Sequence, residues 1–462
     1  MRPAGVRARR AFGLGLVTGA VFFAGTLYWT PDVLKTFGGI SLPLALLAGG
    51  LLVAYLALFP AVVAVTVARV CARAGPSGVL IAPAAWVAAE LARRFVLGGF
   101  PWVLLGSSQA GVTPVVQTAS LAGVYGLSAL IAFVSAALAL AVAGRGRARW
   151  AAPLAAAVVV SALSAWGAWR VSDGALLREG QPVRVALVQG NVLQQEKWDK
   201  ARAGTILNRY LSMSREAAAR GAALVIWPES STPFMFEHDP AGRSAITALA
   251  RELGVAMLFG SDQYEPGPPA RFFNSAFLVG PDGQTRAVYR KMHLVPFGEF
   301  IPLKRLLFFV TPLVESVSDF SPGEDYVVMP LGGNRLSTAI CYEVVYPDLI
   351  AAFVGRGSQL LTTITNDAWY GHSSAPHQHF WMATLRAVEQ GRYLVRSANT
   401  GISGIVDPYG RVVVKTPIFE QTVAVGDVRY LDGRTIYSRT GDAFAYACLA
   451  VTLMAWWASR RR

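Results

Sequence analysis

Leu224-Val225-Ile226-Trp227-Pro228-Glu229-Ser230 places a carboxylate directly after a short, wholly apolar run. A strand that is apolar on both faces belongs to a sheet covered on both sides. A charge at the end of such a strand falls where connecting segments meet in a cleft. Two further segments have related form. In Ala339-Ile340-Cys341-Tyr342-Glu343 a thiol closes an apolar strand, with a carboxylate two residues on. In Tyr289-Arg290-Lys291-Met292-His293-Leu294-Val295-Pro296-Phe297-Gly298-Glu299 two charges, Lys291 and Glu299, flank an apolar stretch containing Pro and Gly. Singly, each has a plainer reading: a helix cap or surface Glu, a solvated loop, and a buried structural cysteine.

Outward from these segments, the chain between about 183 and 435 alternates β-rich and helical runs. Predicted strands are Arg184–Gln189, Ala223–Trp227, Val255–Gly260, Ser275–Val279, Leu336–Ile340, Leu360–Thr365 and one near Leu394–Ser397. Helical patterns lie at about 203–219, 241–253, 347–354 and 376–390, and an α/β sandwich is the expected arrangement. Elsewhere the composition changes. The 462-residue chain is 53% hydrophobic and 15% charged, too apolar for an ordinary soluble enzyme. The excess lies before about residue 172 and in the last twenty residues. Membrane segments are predicted at about 11–30, 42–70, 79–98, 118–143 and 150–170, with a sixth at 443–459. The expected organisation is a membrane domain over 1–172, a globular domain over 183–435 and a closing membrane helix over 443–459.

The formal charge of +14 is a matter of topology, not of nucleic-acid binding. Basic residues collect at the ends of apolar runs: Arg2, Arg7, Arg9 and Arg10; Arg69 and Arg73; Arg145, Arg147 and Arg149; Arg460, Arg461 and Arg462. Placing all four clusters in the cytoplasm puts the globular domain on the other face. Cys71, Cys341 and Cys448 are too few and too scattered for a disulfide framework. His372, His377 and His379 lack zinc-ligand spacing, so no metal is expected. Ser230 and Ser231 lack the nucleophile-elbow context of a serine hydrolase.

In order and approximate spacing, Glu229, Lys291 and Cys341 resemble the Glu…Lys…Cys set of the carbon–nitrogen hydrolase (nitrilase) superfamily. More closely, the chain resembles that superfamily's membrane-bound branch, the bacterial apolipoprotein N-acyltransferases. Trp227-Pro228-Glu229-Ser230, His293 to Glu299, Cys341-Tyr342-Glu343, Asn366-Asp367-Ala368-Trp369-Tyr370-Gly371 and Gly99-Phe100-Pro101-Trp102 carry the likeness. It spans nearly the whole chain. It implies a polytopic α-helical membrane bundle joined to an α/β, nitrilase-like αββα sandwich.

The resemblance also implies the chemistry: Cys341 as nucleophile, Glu229 as general base, Lys291 as oxyanion stabiliser, and Glu299 and Glu343 in support. Trp198, Tyr342, Trp369, Tyr370 and Asn274 are the implied substrate-binding residues. An acyl chain would pass from a phospholipid, with phosphatidylethanolamine the expected donor, through a Cys341 thioester. The acceptor is the N-terminal amine of an S-diacylglyceryl-cysteine apolipoprotein. The implied setting is the bacterial inner membrane, with a monomer, no cofactor, no nucleic acid and the catalytic domain on the periplasmic side. Family members carry about eight membrane helices against the six expected here, an even difference that leaves this orientation unchanged. Two other readings are a membrane-tethered amidase, distinguished by its acceptor, and a transporter. The transporter reading requires intramembrane charges along a path, and Glu90 with Arg93 and Arg94 is the only notable group.

Overall fold

In the computed structural model the first helices meet through small residues. The described residues are 4–296, 298–300 and 320–460, so Arg2, Phe297, Arg461 and Arg462 lie outside them. The chain divides into two units, Met1–Asp173 with Arg439–Arg462, and Gly174–Ser438.

The first unit contains α1 (Ala4–Thr26), α2 (Thr30–Gly38), α3 (Leu42–Ala74), α4 (Ala82–Arg93), α5 (Thr113–Val116), α6 (Ala119–Ala143), α7 (Ala151–Asp173) and the chain-terminal helix Ala443–Ala458. Gly15 and Gly19, one turn apart on α1, leave room for the α3 backbone: a Cβ on either would stand 2.7 Å from the Cα of Ala61 or Ala57. Close approach of this kind is how membrane helices gain packing energy. The expected 11–30 segment is bent instead of straight. Ala8–Thr26 and Thr30–Gly38 meet at 53°, with Pro31 opening the second helix where its missing N–H costs nothing. Between α3 and α4 the chain reverses. Gly78 packs on the Cys71 backbone, and Tyr55 Oη of α3 donates to the Val96 carbonyl just beyond α4, 2.8 Å away.

Among the described residues three helical stretches are long and apolar enough to cross a membrane, Leu42–Arg93 (α3 and α4 together), Ala119–Ala143 and Ala151–Leu177, or four if the bent pair is one span. Ala443–Ala458 is apolar but shorter. The Gly99–Trp102 segment is tied to α4, since Arg93 Nη2 donates to the Trp102 carbonyl (3.1 Å) and the Leu105 amide donates to Glu90 Oε1 (2.6 Å).

The second unit contains two six-stranded sheets. Its strands are β1 (Gln181–Gln189), β2 (Leu224–Ile226), β3 (Ala256–Glu265), β4 (Arg271–Val279), β5 (Thr285–Arg290), β6 (Met329–Leu331), β7 (Asn334–Ile340), β8 (Leu360–Thr365), β9 (Leu394–Ala398), β10 (Gly404–Val406), β11 (Val412–Lys415) and β12 (Thr422–Tyr430). The sheet orders are β12-β1-β2-β3-β4-β5 and β11-β10-β9-β8-β7-β6. In the centre of each, β1-β2-β3 and β7-β8-β9 are parallel, while the flanking strands are antiparallel. Ser397 Oγ on β9 donates across the gap to the Ile226 carbonyl on β2 (3.0 Å), so the sheets lie face to face.

Helices α8 (Ala203–Ala219) and α9 (Pro240–Leu253) cover the first sheet, and α10 (Pro347–Gly355) and α11 (Ala375–Gln390) lie on the side of the second. Ile206, Tyr210, Met213, Ile246 and Leu249 pack with Val225, Trp227, Met257 and Phe259 in one buried core. Trp227 belongs to this core: it stacks on Tyr210 and donates to Ser214 Oγ (2.8 Å).

β3 crosses beneath the turn that carries Glu229. A Cβ on Gly260 would stand 2.4 Å from the Ser230 nitrogen and 2.7 Å from the Glu229 Cα, both backbone atoms. Gly260→Ala is therefore expected to lower stability by about 1–3 kcal/mol through overpacking. A melting curve in detergent checks this, and an unchanged midpoint would mean that the turn yields freely.

Candidate active site

Three residues in the left-handed region follow central strands: Asn191 (φ 48°) after β1, Ser230 (φ 42°) after β2 and Cys341 (φ 55°) after β7. For residues other than glycine this conformation is costly and persists only where the surroundings enforce it. All three sit at the carboxyl ends of parallel strands. Glu229 precedes one of them, and Asn366 follows β8 at the corresponding end of the second sheet.

Glu229 lies between the sheets. Its Oε1 accepts from Asn274 Nδ2 on β4 (2.7 Å) and from Lys291 Nζ just beyond β5 (3.3 Å). Its Oε2 accepts from the Asn366 amide of the opposite sheet (2.8 Å). Lys291 Nζ also donates to Glu299 Oε1 (2.8 Å), which receives Asn274 Nδ2 as well (3.0 Å). Glu299 Oε2 accepts the Val295 amide (2.8 Å) and so closes the turn that carries it. One ammonium is thus shared by two carboxylates, all buried.

The charges set each other's protonation. Burial opposes the Lys291 ammonium, but Glu229 and then Glu299 outweigh it and hold its pKa well above the usual lysine value. Burial likewise opposes the Glu229 carboxylate. Lys291, Lys197 and the bonds from Asn274 and Asn366 reverse that and bring it below the ordinary glutamate value. Cys341 feels both partners. Burial first, and then the Glu229 charge, push its thiol far above the ordinary value, with Lys291 pulling the other way.

Lys197 has no signal in the sequence, where it reads as one charge in a polar loop. It is buried, and its Nζ donates to the Glu229 backbone carbonyl (3.1 Å). Its ammonium is held below the usual lysine value by burial, against the pull of Glu229, Asp262 and Cys341.

Glu343 sits behind the cluster. Its Oε1 accepts from Tyr289 Oη (2.8 Å), the Met292 amide (2.7 Å) and the His293 amide (3.1 Å), and its Oε2 from the Ile340 amide (2.7 Å). Its two oxygens tie the backbone beside Cys341 to the backbone beside Lys291.

The aromatic residues divide. Trp198 and Trp369 are exposed and Tyr370 is half-exposed. Burial, and then Cys341, push the Tyr370 hydroxyl well above the ordinary tyrosine value. Tyr342 is buried edge-on against Tyr346 (5.4 Å between ring centres). Of the three histidines, His372 stacks on Phe419 and His379 is buried beside Asp367.

With this geometry in hand, the likeness to known proteins is specific. The carbon-nitrogen hydrolase family model matches residues 184–435, and the apolipoprotein N-acyltransferase N-terminal domain model matches residues 2–137. A protein of Geobacter metallireducens named apolipoprotein N-acyltransferase is 43% identical over 96% of this chain and 85% of its own length. One of the same name from Azotobacter vinelandii is 37% identical over 98% of this chain and 87% of its own. Among solved structures, an amidase from Nesterenkonia sp. is similar at 23% identity over 58% of this chain and 97% of its own, with a TM-score of 0.44. Both domains of the architecture are present in order and the relatives align along nearly the full chain: it belongs to the apolipoprotein N-acyltransferase family.

Proposed function

We propose that the chain moves an acyl group from a phospholipid to Cys341 and then to the N-terminal amine of an S-diacylglyceryl-cysteine apolipoprotein. One observation carries this reading. A buried thiol, a carboxylate held ionised and a fixed ammonium share one site at the ends of the parallel strands.

In the first half-reaction Glu229 takes the Cys341 proton as the sulfur attacks the ester carbonyl of the donor. The new C–S bond forms, the carbonyl electrons move to oxygen, and Lys291 faces that oxyanion. A preorganised donor of this kind is worth roughly 2.7–4 kcal/mol of barrier. Collapse expels the lysophospholipid alkoxide, which takes the proton from Glu229. In the second half, the lipoprotein amine attacks the thioester and gives its proton to Glu229. The thiolate leaves and is reprotonated. Glu299 and Asn274 keep Lys291 and Glu229 in place through both halves. The exposed rings of Trp198 and Trp369 offer apolar contact to an acyl chain. Phosphatidylethanolamine is the proposed donor. Basic clusters at the ends of the apolar segments support a periplasmic catalytic domain, since such clusters favour the cytoplasmic face.

Incubation with radiolabelled phospholipid is expected to leave a hydroxylamine-sensitive acyl label on the protein. Cys341→Ala should abolish it, and Cys341→Ser should give little transfer, because an oxygen ester is the poorer acyl donor to an amine. Glu229→Gln should slow labelling roughly 10²–10⁴-fold, the usual range for a lost general base. A wild-type protein that stays unlabelled would overturn the reading.

Proton removal by Glu229 also has a pH signature. A free thiol gains reactivity as it ionises near pH 8.5. Cys341, held higher by burial and by the Glu229 charge, stays protonated there. Its iodoacetamide alkylation, followed on the Cys341 peptide by mass spectrometry, is expected to show no sigmoidal rise between about pH 8 and 9. A rise centred in that window would mean an independent thiol.

A further inference from the structure

Behind the nucleophile lies a buried polar cluster that the reaction scheme above does not use. His379, on α11, sets its Nε2 3.1 Å from the Cys341 carbonyl oxygen. Its Nδ1 is 2.9 Å from Arg396 Nη2 on β9 and 3.0 Å from Asp367 Oδ1. Arg396 Nη2 also donates to Asp367 Oδ2 (2.9 Å), and Thr365 Oγ1 donates to Asp367 Oδ1 (2.9 Å). His379, Arg396 and Asp367 are all buried.

A carbonyl oxygen can only accept, so the Nε2 facing it carries hydrogen. The opposite ring nitrogen faces a guanidinium, which can only donate. The Cys341 carbonyl and Arg396 together favour hydrogen on Nε2 and a lone pair on Nδ1, while Asp367 Oδ1, an acceptor beside the same Nδ1, pulls the other way. Burial and then Arg396 disfavour the charged ring, and Asp367 opposes them without reversing the direction. Hydrogen on Nε2 is therefore required by the Cys341 carbonyl and supported from the far side of the ring by Arg396. The carbonyl that receives this bond belongs to a residue in the left-handed region. Held there from outside the strand, it cannot relax to an extended conformation without breaking a buried hydrogen bond.

We propose that His379 is a positioning residue for the nucleophile: its Nε2–H, favoured by an Arg396 guanidinium that Asp367 holds in place, bonds the Cys341 carbonyl and keeps the residue in its left-handed conformation. The proposal rests on Cys341 being the nucleophile. Gly401 gives access to the same device from the other side. A Cβ there would stand 2.3 Å from Asp367 Oδ2 and 2.6 Å from its Cβ, displacing the carboxylate without touching His379 or Cys341.

The test uses the full-length protein and two readouts, Cys341 alkylation by iodoacetamide and acyl labelling from phospholipid, with melting temperature measured alongside. Asn at position 379 keeps a polar group near the Nδ1 position but falls short of the carbonyl, whereas Gln reaches it with an amide donor. His379→Asn is expected to slow both readouts on the order of 10²-fold, the cost of a misplaced reacting group. His379→Gln should recover most of that rate at a similar melting temperature. Gly401→Ala should slow both in the same sense, and it decides the matter should His379→Asn not fold.

Equal losses in His379→Asn and His379→Gln, or losses that follow melting temperature alone, would overturn the proposal, as would a His379→Asn variant as reactive as wild type. A wild-type protein that alkylates at Cys341 yet never takes an acyl label would instead overturn the acyl-transfer reading, and the alkylation comparison would still decide the role of His379.

Discussion

A single ammonium held by two carboxylates in the dry interior between two sheets is the constraint around which the catalytic unit is arranged. Removing an ion from water costs several kcal/mol even after relaxation, and a buried pair seldom recovers more than that. Lys291, Glu229 and Glu299 are therefore a poor means of stabilising a fold. Their presence makes sense if the charges themselves are needed. Lys197 completes the balance: it brings a second buried ammonium to the back of Glu229, so a carboxylate that burial alone would protonate stays ionised. Ionised and buried, Glu229 is a base held among fixed donors, beside a thiol that burial and this same charge keep protonated.

The fold supplies this cluster from both sheets at once. The parallel strands β1-β2-β3 and β7-β8-β9 bring their carboxyl ends together, so Glu229 from one sheet receives the Asn366 amide of the other. Asn274 and Lys291 enter from the antiparallel strands β4 and β5. Glu343 then fixes the distance between the Cys341 and Lys291 segments with hydrogen bonds to the backbone of both. Each member of the cluster is anchored on a different strand or turn. A shift in any one of them would spoil the hydrogen bonds of the others.

Much of this was legible in the sequence, and the remainder was hidden for identifiable reasons. A strand apolar on both faces, such as β2, announces itself, and the helical period located α8 and α11 closely. β5 and β11 escaped because most of their residues are exposed or half-buried, and β6 and β10 because they are short. The three reactive segments stood out because a charge or thiol after an apolar run is unusual. Lys197 did not, since its burial comes from tertiary packing around a loop of charged residues. The two residues that follow Cys341 take different places. Glu343 is a strut among backbone amides, and Tyr342 lies in the interior, because the short 3₁₀ turn Cys341–Val345 directs successive side chains to different sides. His379 was set aside with its neighbours as a failed metal site. Its partners Asp367 and Arg396 lie 12 and 17 residues away, on other elements, beyond the reach of any local pattern.

The two residues proposed to exchange the proton are held in the same manner. The backbone carbonyl of Glu229 accepts from Lys197 and that of Cys341 from His379. In both cases a buried basic side chain grips the main chain at a strained strand end, and the reactive side chain itself is left out of that grip. This separation matters for a reaction with two half-cycles. In the proposed reaction the carboxylate accepts and releases a proton twice, and the sulfur carries a long acyl chain and then loses it. If those atoms were themselves the anchors, every change of charge or bonding would loosen the site. With the main chain as the fixed part, the proton and the acyl group can come and go while the distances that govern their transfer stay the same.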